Sequence, residues 1–373
     1  MGAIKPEGLF AGVDRARDLK RRSARGAFSS LAAKAILVVL MIVRLAILGR
    51  ILLPAHFGLV AAALVLFEFA IVFKDLGLTA VTLEREELTA AQASACFWIN
   101  VLVCLAMAAV ICALAQPAAA WFERQGMIVG RGELAAMICA TGGLLLVEGA
   151  LSQHRALLAR HLRFDLTALA EVGAMVVNLA AAVAFALLGF AHWALIIGLY
   201  AEAVATALIL FACCPWRPGP LRLTGEVKEM VRFGLHVSGF QLANNLARRV
   251  DKILVMKLFG EGVLGLYTKA FQIFMMPVTS VRQPVTQVAI PALASIRGDR
   301  ERFANYLLQV AELLAFLTVG ISAYCIVQAG FVIRLLLGPG WEGAVPLLSI
   351  LAVAGLILPL GGLRGTVLLG MGR

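Results

Sequence analysis

The sequence predicts an all-α polytopic membrane protein, with about ten transmembrane helices in two parallel-repeat lobes, one of six helices and an incomplete one of four. Three observations carry this. Hydrophobic residues make up 61% of the 373 and charged residues 15%, whereas a soluble domain is about half apolar and a quarter charged. The apolar residues gather in long runs, each near the roughly 20 residues that cross a hydrocarbon core about 30 Å thick. Lys and Arg crowd into every second loop, the pattern of a chain that returns to the same side after each pair of spans.

The runs are 27–48, 57–79, 93–116, 134–153, 166–189, 192–213, 233–259, 264–291, 304–336 and 343–366. The first follows the basic segment "DRARDLKRRSAR". It is longer than the h-region of a cleavable signal and lacks a small-residue cleavage site, so it reads as a retained helix. The same runs argue against strands. A lipid-facing barrel alternates apolar and polar residues, and "ALVLFEFAIVF" is apolar throughout except for Glu68.

The N-terminal tail carries Lys5, Arg15, Arg17, Lys20, Arg21, Arg22 and Arg25. Arg155, Arg160 and Arg163 follow the fourth run, Arg217, Arg222, Lys228 and Arg232 the sixth, and Arg297, Arg300 and Arg302 the eighth. The intervening loops are poorer, and "GFAHW" and "GPGWEGAVP" have no Lys or Arg. The basic loops therefore face the cytoplasm, with the N-terminus on that side.

Sliding the chain over itself by 207 residues carries Gly58, Leu59, Ala63 and Phe67 onto Gly265, Leu266, Ala270 and Phe274, and Arg50 onto Lys257. The shift lays the first span on the seventh, so each repeat has six spans and both share one orientation, related by an axis along the membrane normal. The organisation that follows is a basic cytoplasmic tail (1–26), a six-helix lobe (27–213), a basic cytoplasmic linker (214–232) and an incomplete second lobe (233–373). The second lobe lacks two spans and ends at "LLGMGR", which reads as a turn leading onward. The expectation is a fragment rather than a natural truncation.

The seventh run contains "LANNLARRVDKILV". On a helical wheel Ser238, Gln241, Asn244, Asn245, Arg248, Arg249, Asp251 and Lys252 fall within an arc of roughly 160°, with Leu246, Val250, Ile253 and Leu254 opposite. Three readings of this stripe compete: an amphipathic helix lying in the interface, a buried ion pair that only fixes packing, and the lining of a water-filled cavity. Intramembrane charge is costly unless it meets a partner or a cavity, and one aspartate does not neutralise three cations. The third reading therefore leads, and the surplus positive charge suits an anionic ligand. Under the 207-residue shift Lys34 lies over Gln241, Arg44 over Asp251 and Asp75 over Arg282. The pairs Arg44–Asp251 and Asp75–Arg282 are then candidates for gating or inter-lobe contacts. Glu68 is a lone acid inside a span, either a coupling acid for a proton or an ion-pair partner of Lys34 or Lys74.

The remaining features are weaker. The seven cysteines lie in or beside apolar runs with no C-x-x-C pair, so neither a disulfide framework nor a metal site is expected. His154 and His161 sit in a basic patch suited to anionic lipid headgroups, and Trp98, Trp121 and Trp193 fit an interfacial aromatic belt. The excess of 33 basic over 22 acidic residues falls in short patches between apolar runs, not on a basic soluble face, so no nucleic-acid partner is expected. No nucleophile elbow, phosphate-binding loop or zinc-protease motif occurs.

The segments "LGRILLPAHFG", "DLGL", the "LT..Q" stretch before "FWIN", "SGFQLANNLARRVDKILV", "LGLYTKAFQI" and "MPV" occur in this order along the chain. In that order they resemble bacterial polysaccharide and O-antigen repeat-unit exporters, specifically the colanic-acid-exporter-like (WzxC-like) group of lipopolysaccharide biosynthesis proteins. That group lies in the multidrug/oligosaccharidyl-lipid/polysaccharide exporter superfamily. The resemblance implies two six-helix lobes around a V-shaped cavity. It also implies a flippase that moves a polyprenyl-pyrophosphate-linked oligosaccharide from the cytoplasmic to the periplasmic leaflet of the bacterial inner membrane. Its partners would be the lipid-linked oligosaccharide, membrane lipids and the polymerase and glycosyltransferase machinery. Arg248, Arg249, Lys252, Lys34 and Arg44, with Gln241, Asn244 and Asn245, would then hold the pyrophosphate. No covalent chemistry, metal or cofactor is expected beyond a coupling ion, proton or sodium. The alternatives are a drug or cation exporter of the same fold, which would want an acidic cavity, and a non-transporting membrane scaffold. A membrane-embedded glycosyltransferase or ligase would need acidic catalytic residues or a sizeable extramembrane domain.

Overall fold

The computed structural model describes residues 19–74, 77–84, 88–124, 130–161, 163–221, 250–296 and 299–357. All the regular structure among them is helical. The helices are α1 (Leu19–Ile51), α2 (Pro54–Ala70), α3 (Leu78–Glu84), α4 (Ala90–Glu123), α5 (Arg131–Arg160), α6 (Phe164–Leu187), α7 (His192–Cys213), α8 (Val250–Ser295), α9 (Arg300–Val327), α10 (Ala329–Leu337) and α11 (Ala344–Gly355). Seven segments among the described residues are long and apolar enough to cross a membrane: Ala32–Ile51, Pro54–Phe73, Ala90–Glu123, Arg131–Arg160, Phe164–Leu187, His192–Cys213 and Glu301–Val327.

Local chemistry sets the helix ends. Leu53 is extended (φ −75°, ψ 155°), as a residue before proline must be. Pro54 opens α2, where its missing N–H removes no intrahelical bond, and His56 Nδ1 accepts the Leu53 N–H at 3.3 Å. The "LT..Q" stretch proves to be a capping box. Thr89 Oγ1 accepts from Gln92 N at 3.2 Å and Gln92 Oε1 accepts from Thr89 N at 2.9 Å, satisfying two orphan donors at the start of α4.

Two boundaries differ from the sequence reading. Helix α1 begins at Leu19, inside the expected basic tail, because "LKRRSARGAF" holds no proline to stop a helix before the apolar run. The expected 304–336 span is two helices, broken at Gln328 (φ −108°, ψ 19°). The break falls where a polar glutamine and Gly330 interrupt the apolar run. The chain forms two compact units, Met1–Glu261 and Gly262–Arg373. Gly260 in α8 adopts φ 79°, ψ −178°, a conformation open to glycine but disfavoured for residues with a Cβ, so α8 is two helical stretches joined at a kink there.

In the first unit α4 packs along α5, α6 along α7, and α1 along α6. Apolar attraction between helices vanishes in lipid, so close approach of small residues takes its place. A Cβ on Gly149 of α5 would lie 2.7 Å from Cys104 Sγ and 3.2 Å from the Asn100 carbonyl of α4. A Cβ on Gly198 of α7 would lie 2.9 Å from the Ala182 methyl of α6. Leu102, Leu105, Val110 and Leu114 of α4 are exposed, as a lipid-facing stripe requires.

At one end of this unit Phe97, Leu151, Leu157, Leu210, Cys214 and Trp216 form a buried cluster. The irregular segment 214–221 is tied down there. Trp98 Nε1 donates to the Gly219 carbonyl at 2.8 Å, and the Gly219 N–H donates to Ser94 Oγ at 2.9 Å. Trp98, which the sequence assigns to an interfacial belt, therefore also clamps the start of the linker. The second unit has its own interior, with Phe274, Leu337, Trp341, Leu348 and Ala352 buried.

Candidate functional site: charged side chains among the membrane helices

Within the first unit, charged side chains on the spanning helices meet in three groups. In the first, Lys252 at the start of α8 donates through Nζ to both carboxylate oxygens of Glu68 on α2, each at 2.8 Å, and both side chains are 23% exposed. The lysine thus sits over the carboxylate fork. In the second, Arg44 of α1 donates through Nη1 to Asn178 Oδ1 of α6 at 3.2 Å, and Asn178 Nδ2 donates to Glu202 Oε2 of α7 at 2.7 Å. Asn178 is 2% exposed. In the third, Glu148 of α5 accepts from Lys74 Nζ at 3.0 Å and from Arg155 Nη1 at 2.9 Å. In each group a charge that would be costly alone is met by an opposite charge or a polar bridge.

Of the residues the sequence singles out, Lys252 and Glu68 come together, although Lys34 or Lys74 is the partner expected for the acid. Lys74 instead bonds Glu148, which lies on α5, a helix that packs along α2. Arg44, expected to face Asp251, is bonded to Asn178. The reason is helix adjacency: α1 packs along α6, so the nearest polar group is an amide on that helix. Asp251 and Arg282 are half-buried and Lys34 is exposed. Gln241, Asn244, Asn245, Arg248, Arg249 and Asp75 lie outside the described residues.

Three functional candidates were not drawn from the sequence: Asn178, Glu202 and Glu148. Each had a signal. Asn178 and Glu202 lie equally far on either side of Phe190 in the α6–α7 turn, so an antiparallel pair brings them level. Glu148 and Arg155 are seven residues apart on one helix, two turns along the same face. No group of three or more His, Cys, Asp or Glu that could hold a metal ion occurs among the described residues.

A family model described as "Polysaccharide biosynthesis protein" matches residues 47–346. The chain belongs to that family. It is 25% identical over 95% of its length to the lipopolysaccharide biosynthesis protein WzxC of Escherichia coli K12, covering 71% of that protein. It is 26% identical over 86% of its length to the succinoglycan biosynthesis transport protein ExoT of Rhizobium meliloti, covering 64% of it. Among solved structures, an inward-facing multidrug resistance MATE transporter of the MOP superfamily aligns over 93% of this chain and 84% of its own, with a TM-score of 0.70 at 17% identity. The lipid II flippase MurJ aligns over 93% of this chain and 75% of its own, with a TM-score of 0.70 at 14% identity. At these identities the likeness is one of fold. This member of the polysaccharide biosynthesis protein family is thus a multi-pass helical membrane protein.

Proposed function

We propose that the chain is a flippase that carries a polyprenyl-pyrophosphate-linked oligosaccharide from the cytoplasmic to the periplasmic leaflet of the bacterial inner membrane, for exopolysaccharide or lipopolysaccharide biosynthesis. The observation that carries this reading is Lys252, a cation held half-buried among apolar helices by Glu68, in a family member whose relatives are named for polysaccharide biosynthesis and transport. A lysine ammonium binds phosphate oxygens as a point charge. Arg248 and Arg249, close by in sequence, would add forked donors for the same group.

In this reading the N-terminus is cytoplasmic, as the placement of Lys and Arg in the loops supports, and the chain does no covalent chemistry. Binding energy drives exchange between inward-open and outward-open states, with a proton or sodium ion as the coupling species and Glu68 as the candidate proton carrier. The polymerase and glycosyltransferases of the same polymer would supply and consume the cargo.

The test is leaflet-resolved analysis of polyprenyl-linked saccharides in a strain lacking the gene. Cytoplasmic-side accumulation is expected, relieved by the gene but not by its Lys252→Met form. Unchanged lipid-linked intermediates and unchanged surface polysaccharide would sink the reading.

A further inference from the structure

The second unit carries a cleft that the flippase reading leaves unused. Helix α9 is apolar enough to span the membrane as far as Val327 and breaks at Gln328, so the nine-residue α10 begins where a spanning helix ends. Helix α10 is apolar on two sides. Ala329, Ile333 and Leu337 are buried, and the helix packs against α9 and α11. Phe331 and Leu335, four residues apart on another face, are exposed, as is Val327 before them. A short helix with an exposed apolar face at the end of a span is suited to lie in the membrane interface.

The chain then turns back on itself. Gly338 and Gly340 both adopt φ 87°, which glycine takes readily, and Trp341 is buried just after them. The reversal brings Glu342 to the side of Arg334, and the two line a cleft of about 340 Å³ with Gly330, Phe331, Ile333 and Val345. Gly330 keeps the cleft open, since a Cβ there would meet no atom within 4 Å. Arg334 and Glu342 are both exposed. The backbone N–H groups of Glu342 itself and of Gly340, and then the Arg334 charge, hold the Glu342 carboxyl below the usual carboxylate range. It is therefore an anion at neutral pH.

We propose that this cleft binds the headgroup of a phospholipid whose phosphate carries a primary ammonium, as in phosphatidylethanolamine. Arg334 takes the phosphate, Glu342 takes the ammonium, and Phe331, Ile333 and Val345 face the upper part of the acyl chains. Charge complementarity selects the occupant. A guanidinium alone would draw any phosphate, but the carboxylate beside it repels a headgroup of net negative charge. A zwitterion satisfies both groups. A primary ammonium also has three N–H donors for the carboxylate, which the quaternary nitrogen of a choline headgroup lacks. The apolar wall and the place of α10 at the end of a span favour a lipid over a soluble zwitterion. So occupied, the cleft moors α10 at the bilayer surface.

The experiment is native mass spectrometry of the full chain in detergent micelles, titrated separately with phosphatidylethanolamine, phosphatidylcholine and phosphatidylglycerol of the same acyl chains. The first phosphatidylethanolamine is expected to bind roughly tenfold more tightly than the first phosphatidylcholine, on the order of one charge-assisted hydrogen bond. Glu342→Gln, which can still accept from the Gly340 N–H, is expected to abolish that difference. Arg334→Gln should weaken phosphatidylethanolamine binding by roughly tenfold. Gly330→Leu, which fills the cleft from a position with open space, should weaken it as well. The lipid preference of the native chain is read without any variant, so misfolding of one of them leaves the proposal open to refutation. Equal binding of phosphatidylethanolamine and phosphatidylcholine by the native chain would overturn it, as would a preference that survives in Glu342→Gln and Arg334→Gln. Tighter binding of phosphatidylglycerol, lost in Arg334→Gln, would also overturn it and make the cleft a site for anionic lipid.

Discussion

Arg44 on α1 and Glu202 on α7 are joined through one side chain: Asn178 on α6 accepts from Arg44 Nη1 at 3.2 Å and donates to Glu202 Oε2 at 2.7 Å. The amide is oriented by its partners, oxygen toward the cation and nitrogen toward the acid. Three membrane helices are thus stitched by groups that hydrocarbon would otherwise reject. Asn178→Leu fills the same volume but satisfies neither neighbour, and leaving a buried charged group without its hydrogen bond costs about 2–3 kcal/mol. A lower melting temperature in detergent is expected. Glu202→Gln, which can still accept from Asn178, should lower it less. Equal losses in the two variants would show that the bridge contributes little.

A second prediction concerns Glu148, which holds Lys74 and Arg155 together. Removing the shared acid leaves two cations facing each other, whereas removing one cation leaves an ion pair. Glu148→Ala should therefore destabilise by roughly 3 kcal/mol and Lys74→Met by about 1 kcal/mol. The double variant should be less destabilised than Glu148→Ala alone, because removing Lys74 also removes the repulsion between the two cations left without their carboxylate. Additive effects in a double-mutant cycle would contradict the shared arrangement.

How far these groups were legible depends on what a single sequence encodes. Periodicity and Lys/Arg placement identified membrane helices, because every spanning segment obeys the same length and charge rules. A wheel put Lys252 on the polar face of its helix but did not say which helix that face meets. The partner, Glu68, lies 184 residues away. The α6–α7 hairpin was different: its short turn fixes the neighbour, so Asn178 and Glu202 were readable as a pair by counting outward from Phe190. Attention to cations passed over both. The break at Gln328 was also in reach, since a polar glutamine and Gly330 interrupt the apolar 304–336 run. The tie between Trp98 and Gly219 was not, because segment 214–221 has no periodicity to constrain it.

The close approach of α4 and α5 gives a third prediction. A Cβ on Gly149 would meet Cys104 Sγ at 2.7 Å, Cys104 Cβ at 2.9 Å and the Asn100 carbonyl at 3.2 Å. The sulfur can be removed but the backbone cannot. Gly149→Ala should cost about 1–3 kcal/mol by overpacking, and adding Cys104→Ala should recover only part of it. Full recovery would mean that the sulfur alone resists the methyl. Melting temperatures of the two variants separate these outcomes.

Cys214, just beyond α7, gives the last. It is fully buried, beside Trp216 at 4% exposure, and burial pushes its thiol above the ordinary cysteine range. Maleimides react with the thiolate, so a raised pKa and a closed environment both slow labelling. In a background where Cys214 is the sole cysteine, labelling at neutral pH should be slow and should rise as the pH is raised. Trp216→Ala opens the cluster around it, rehydrates the thiol and lowers its pKa toward the ordinary value. Labelling of that variant at neutral pH should be faster by roughly tenfold or more. Equally fast labelling of both forms would mean that the start of the linker is not seated on the helical bundle, and that the Trp98 and Ser94 bonds to Gly219 do not hold it closed in the membrane-embedded protein.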